Sequence, residues 1–178
     1  LLELGGKPVL AQEAIRAARA KSTHELLIAT TIDGADDPIE DFCRVNGYAC
    51  FRGNVYDVLD RYYQAAQWAK ADVIVRLTAD CPLMDPEVID KVVRDFLESG
   101  ADFGCNRLPP PWKRTYPIGL DVEVCTFAAL ERAWNEAEIK YEREHVMPYL
   151  YDAPGRVKVL VVDAEDDQGA LRWPVDTP

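Results

Sequence analysis

Along the chain, short runs of β-branched and apolar residues alternate with longer stretches in which apolar positions recur every three or four residues. These two periods separate strands from amphipathic helices. Glu25 to Thr31, ELLIATT, predicts a buried strand, closed by Asp33-Gly34. Pro8 opens a helix running to about Ala20, where its fixed φ suits the first helical position. A second helix spans Pro38 to Val45 and is stopped by Asn46-Gly47. Tyr48 to Phe51 reads as the next strand, which carries Arg52-Gly53 to the edge where the first one ends. From Val55, the positions Val55, Val58, Leu59, Tyr62, Ala66 and Ala69 make one apolar stripe and predict a third helix. Val73 to Thr78 is again a strand, and Ile89, Val92, Val93, Phe96 and Leu97 then keep helical spacing as far as Ser99-Gly100. Repeated strand–helix units need crossovers between parallel strands, so the expectation is an α/β fold: a mixed, mostly parallel sheet with helices on both faces.

From Ala101 the pattern changes. Asp102 to Cys105 is a short strand, and Asn106 to Tyr116 is a proline-rich loop with Lys113 and Arg114, of the kind that often lies over a site. Gly119 to Cys125, GLDVEVC, places Leu120, Val122 and Val124 on one face and Asp121, Glu123 and Cys125 on the other, which predicts a strand with one wet face. Thr126 caps a helix whose Phe127, Leu130, Trp134 and Ala137 face the core. A polar segment, Tyr141 to Val146, leads to Pro148. Val157 to Val162 and Leu171 to Val175 are the last strands, the latter ending in Asp176. With no internal repeat and no linker, residues 1–178 read as a single domain. The chain opens without Met inside Leu1-Leu2-Glu3-Leu4 and closes on Thr177-Pro178, the start of a helix, so it reads as truncated at both ends.

Composition narrows the function. A chain of 178 residues buries about 68–70% of its unfolded surface and needs no disulfides to do so. No apolar run approaches the ~20 residues of a membrane span and the start has no signal-peptide pattern, so the expected address is the cytoplasm. The net charge of −11 argues against a nucleic-acid partner, whose affinity comes from many basic side chains meeting phosphates. A nucleotide is still compatible, because exposed charges are screened beyond roughly 8–10 Å and local cations decide. Cys43, Cys50, Cys81, Cys105 and Cys125 are odd in number, widely spaced and without a C-x-x-C pair, which reads as small buried hydrophobes rather than a zinc site.

The candidate chemistry centres on VIVRLTADCPLMDP, residues 73–86. A buried strand ends there at Asp80, and ligands of open α/β sheets collect at such carboxyl ends. With Asp176 at the end of the last strand, Asp80 can hold a Mg²⁺ that also grips a triphosphate; the alternative is a cap or turn role. Arg76 interrupts an apolar strand and needs an anion, either an internal carboxylate or a phosphate, and Arg52 is a second cation at a strand end. Lys7, in the turn Gly5-Gly6-Lys7-Pro8, either faces a phosphate or is solvated. Asp121 and Glu123 can read sugar hydroxyls or form the solvated side of a strand. Arg143-Glu144-His145 can hold a substrate carboxylate or hydroxyl, or form a surface helical network.

FRGNVYDVLDRYYQAA, VIVRLTADCPLMDPEVID, YPIGLDVEV, REHVMPYLYD and LRWPVDTP, in this order, resemble the SpsF-like branch of the cytidylyltransferases. That branch bears the name of a spore coat polysaccharide biosynthesis protein. It is similar to the enzymes that activate acylneuraminate and 3-deoxy-manno-octulosonate as CMP-sugars. The resemblance runs from LGGKPVL to VDTP. It implies a Rossmann-like, GT-A-like nucleotidyltransferase fold and transfer of CMP from CTP to a sugar, an acidic one, for surface or spore coat polysaccharide. It implies Asp80 and Asp176 as magnesium ligands and catalytic residues, Arg52 and Asp57 in the nucleotide region, GLDVEV and REHV on the sugar side, and a homodimer. It also implies a preceding strand and a basic, glycine-containing phosphate loop, from which this chain departs by starting after them. His145 is the tempting general base. Two rivals stand beside this reading: a glycosyltransferase whose metal ligands come from Asp121-Val122-Glu123, and a non-catalytic recognition domain of the same fold.

Overall fold

The computed structural model describes residues 1–175, so Asp176 and Thr177-Pro178 lie outside the described residues. In chain order the elements begin with a hairpin of β1 (Glu3–Leu4) and β2 (Lys7–Pro8), then α1 (Val9–Ala17) and β3 (Leu27–Thr31). After a 3₁₀ turn over Gly34–Asp36 come α2 (Asp37–Asn46), β4 (Ala49–Gly53), α3 (Val58–Ala69), β5 (Val73–Arg76) and α4 (Pro86–Ser99). The chain continues through β6 (Phe103–Cys105), β7 (Glu123–Thr126), α5 (Phe127–Glu136), α6 (Lys140–His145), α7 (Pro148–Tyr151) and β8 (Val159–Val161). The alternation up to α4 is the expected α/β one. Gly47 ends α2 in the left-handed conformation, φ 74°, which Asn46-Gly47 foretold.

Strands β5, β7, β6 and β8 form a four-stranded sheet in that order, and β3 and β4 form a parallel pair. The chain divides into two compact units. The first comprises residues 1–25, 75–124 and the segment from Val159 onward. Here β6 lies parallel to β8, with Phe103 opposite Val159 and Cys105 opposite Val161. Phe103 and Cys105 are fully buried, as are Val92 of α4, Val122 and Val124. Helix α4 starts on the side chain of Asp85, which accepts the Glu87 N–H at 2.9 Å. Its Asp90 carboxylate accepts from the Lys21 and Ser22 amides at 2.8 Å and from the Ser22 hydroxyl at 2.6 Å, tying α4 to the chain that leaves α1.

The second unit comprises residues 26–74 and 125–158. Its parallel pair runs from Leu27 opposite Ala49 to Thr31 opposite Gly53. Helix α3 packs Leu59, fully buried, with Tyr63, whose ring stacks between Phe127 at 5.6 Å and Trp134 at 4.2 Å. The Trp134 indole N–H donates to Asp60 at 2.8 Å.

Several expectations change. Helix α3 begins at Val58 rather than Val55, because the Asp57 carboxylate accepts the Asp60 N–H and fixes the cap there; Tyr63, not Tyr62, is then the core ring. Leu97 closes the predicted stripe of α4 but is 58% exposed. Strand β7 starts only at Glu123, since residues 120–122 bond to an asparagine instead of a ladder: Asn106 donates its amide to the Leu120 carbonyl at 2.7 Å and accepts the Val122 N–H at 2.9 Å. That strand has no wet face, Glu123 being 6% exposed and Cys125 fully buried. Leu171 to Val175 is not a strand but makes one parallel bridge, Arg172 beside Ile118. The polar segment after Ile139 forms α6 and α7. Among the described residues no helix is long and apolar enough to cross a membrane.

Candidate active site

Asp80 stands four residues beyond the end of β5, in the turn that precedes α4. Its half-buried carboxylate accepts a weak bond from the Cys81 thiol at 3.5 Å, and among the described residues no ion pair holds it. Its carbonyl accepts the Val175 N–H at 2.8 Å, which brings the residue before Asp176 to the Asp80 turn. That terminal segment is held along Ile118, whose N–H donates to the Leu171 carbonyl at 2.9 Å and whose carbonyl accepts the Trp173 N–H at 2.8 Å. The Cys81 sulfur is buried, 3.5 Å from the Thr78 hydroxyl, and burial pushes its thiol up to about 12, so it is inert as a nucleophile.

Beneath this turn sits Glu13 of α1, 5% exposed, accepting the Cys81 N–H at 3.4 Å. Burial, reinforced by the charge of Asp80 and opposed by that hydrogen bond, pushes its carboxyl up to about 8. Among the described residues no group of three or more His, Cys, Asp or Glu side chains is clustered to hold a metal alone. Magnesium does not need one: it takes one or two carboxylates and leaves the other positions to water and phosphate. The Asp80 carboxylate, half-buried and without an ion pair among the described residues, fits that demand.

The other predicted groups of the first unit are arranged in pairs. Arg76 donates to Glu123 at 2.5 Å, so the strand guanidinium has found an internal carboxylate. Asp121 is gripped by both terminal nitrogens of Arg114, with Arg107 3.7 Å away, and the predicted covering loop is thereby anchored at its base. Lys113 pairs with Asp167 at 2.6 Å. Lys7, by contrast, lies exposed in β2, and its ammonium group has no ion pair among the described residues.

In the second unit Arg52 uses all three of its side-chain nitrogens locally: Nε on the Thr31 carbonyl, Nη2 on the Asp33 carbonyl, and Nη1 on Glu40 and Asp37 at 2.6 and 2.7 Å. Asp57 and Arg143, 86 residues apart, form a forked pair at 2.6–3.1 Å, and Arg143 also donates to the Trp134 carbonyl at 2.6 Å. The pair ties α3 to α6. Glu144 and His145 are exposed, the imidazole 4.7 Å from the Tyr141 ring.

Residues 1–169 match the family model described as cytidylyltransferase. The chain belongs to the cytidylyltransferase family. It is 38% identical over 179 residues to an uncharacterized protein of Methanocaldococcus jannaschii, covering 99% of this chain and 71% of that one. It is 29% identical over 170 residues to the spore coat polysaccharide biosynthesis protein SpsF of Bacillus subtilis, covering 85% of this chain and 67% of that one. The solved cytidylyltransferase of Leptospira borgpetersenii serovar Hardjo-bovis is similar with a TM-score of 0.91 at 32% identity, over 99% of this chain and 73% of that one. The fold is thus the Rossmann-like nucleotidyltransferase fold that the motif order implies. Within this cytidylyltransferase the residue that sequence reasoning missed is Glu13. Its signal was present: a carboxylate in step with Val9 and Ala17 on the apolar face of a helix.

Proposed function

We propose that the protein transfers a cytidylyl group from CTP to a hydroxyl of an acidic sugar used in surface polysaccharide. The observation that carries this reading is the Asp80 turn: a carboxylate at the end of a sheet strand with no ion pair among the described residues, and with the segment leading to Asp176 bonded to its backbone. Family membership supports the cytidylyl donor, and partial similarity to 3-deoxy-manno-octulosonate cytidylyltransferases supports an acidic acceptor. The name of the SpsF relative supports a polysaccharide, the spore coat being one destination.

In the reaction the acceptor hydroxyl oxygen forms a bond to the α-phosphorus while the bond to pyrophosphate breaks in line, and the hydroxyl proton passes to solvent. Asp80 and Asp176 would hold a Mg²⁺, which when bound neutralises phosphate charge and acidifies the hydroxyl. Asp80 would hold that ion at the strand end, and Lys7, exposed, would contact a phosphate. The pairs Arg76–Glu123 and Arg114–Asp121 act as rigid supports, which leaves no free acidic pair in Asp121-Val122-Glu123 for a glycosyltransferase-type metal. The test is pyrophosphate release by the full-length protein from CTP with a panel of neutral and acidic sugars. The reading expects release with acidic sugars that is abolished in Asp80→Asn; equal release from that variant, or none with any sugar, contradicts it.

A further inference from the structure

We infer that Glu13 is a positioning residue for Asp80: its buried carboxyl group fixes the backbone of the Asp80-Cys81 turn and so aims the Asp80 carboxylate at a divalent cation. The inference rests on the reading of Asp80 as a metal ligand and deepens it.

Glu13 occupies the buried face of α1, with Val9 and Ala17 one turn away on either side and Ala14 adjacent. An apolar side chain would suit that face at lower cost, because a carboxyl group taken out of water must be compensated. Compensation by charge is missing, since among the described residues Glu13 has no lysine or arginine partner. Among the described residues what it has is a hydrogen bond from the Cys81 N–H at 3.4 Å. Cys81 is 3% exposed, and its thiol in turn donates to Asp80 Oδ1 at 3.5 Å. The path from α1 to the Asp80 carboxylate is therefore short and almost dry: carboxyl, Cys81 amide, Cys81 side chain, Asp80. A position that breaks the apolar pattern of its helix and spends that bond on one turn is explained by what that turn carries. The Val175 N–H fixes the same turn from the opposite chemistry, at the Asp80 carbonyl, so Glu13 supplies the restraint on the amide side.

The test is Mn²⁺ binding to the full-length protein with CTP present, read from the loss of the free-ion paramagnetic resonance signal. Glu13→Met keeps the length and removes the oxygen, whereas Glu13→Gln keeps an acceptor for the Cys81 N–H. We expect Glu13→Met to weaken Mn²⁺ binding by about tenfold or more, and Glu13→Gln by less than about threefold, as for other groups that orient a ligand. The near-ultraviolet circular dichroism spectrum should be unchanged in both, which a general loss of structure would not allow. If Glu13→Met does not fold, Glu13→Asp, which withdraws the oxygen by one methylene, is read in the same way. Mn²⁺ affinity like that of the wild type in Glu13→Met or Glu13→Asp, alongside loss in Asp80→Asn, overturns the inference and leaves the Asp80 reading standing. Unchanged affinity in Asp80→Asn overturns both.

Discussion

Replacing Glu13 by glutamine removes a carboxyl that the fold pushes from 4.5 up to about 8 by burial, with the Asp80 charge adding to it. The folded protein keeps this proton until near pH 8, while the unfolded chain loses it near pH 4.5. Between those values the native state binds more protons, so stability falls as pH rises. Below the window both states are protonated and the group costs nothing; above it both are ionised and the cost is complete. At about 1.4 kcal/mol per pH unit the full distance amounts to about 5 kcal/mol, a large share of the 5–15 kcal/mol typical of a domain. Glutamine keeps the shape and can still accept the Cys81 N–H, and it never ionises. The neighbouring Cys81 thiol, at about 12, stays neutral throughout and does not blur the comparison. Urea unfolding of wild type and Glu13→Gln between about pH 5 and about pH 9 gives the difference directly, with shared titrations cancelling. The variant should gain little at the acid end and progressively more towards pH 8. A difference that does not change with pH would refute the reasoning, because it would mean that Glu13 ionises as freely in the fold as in the unfolded chain.

Three further outcomes follow from the packing. Asp57→Asn should cost about 2–3 kcal/mol by leaving Arg143 without its forked partner, and Arg143→Met should be strongly non-additive with it in a double-mutant cycle; additive losses would show that the pair does not tie α3 to α6. A Cβ at Gly169 would lie 2.1 Å from the Arg114 carbonyl, so Gly169→Ala should destabilise by about 1–3 kcal/mol and speed tryptic cleavage at Arg107, Lys113 and Arg114. Leu59→Ala, at a fully buried position of α3, should cost about 2–5 kcal/mol in urea unfolding.

The alternation of elements was legible because each signal is local: short apolar, β-branched runs for β3 to β5, Gly47 for the end of α2, Asp85-Pro86 for the start of α4. The phase of a stripe is less secure, since adjacent tyrosines satisfy helical spacing almost equally well and only the cap at Asp57 selects Tyr63. The alternating GLDVEVC predicted water on one face, yet a buried guanidinium serves Glu123 in the same way that water would, and pattern alone does not tell the two apart. Long-range pairing was the least legible part of the candidate site. Arg52 stood out as a cation at a strand end, Asp57 only through the family resemblance and Arg143 as a group for a substrate carboxylate or hydroxyl, yet each bonds to residues of the protein itself, up to 86 positions away. Asp80 was legible from a strand ending abruptly in a polar turn. Its supports, the Glu13 carboxyl and the Val175 amide, were not, because each is a single bond across distant sequence.

The central claim is most directly tested by calorimetric titration of CTP, UTP, ATP and GTP into the full-length protein with and without Mg²⁺, with Asp80→Asn alongside. Selective CTP binding that depends on Mg²⁺ and is lost in the variant is the expected result. Binding of CTP that is indifferent to Mg²⁺ and to Asp80, or binding of no triphosphate, would contradict it.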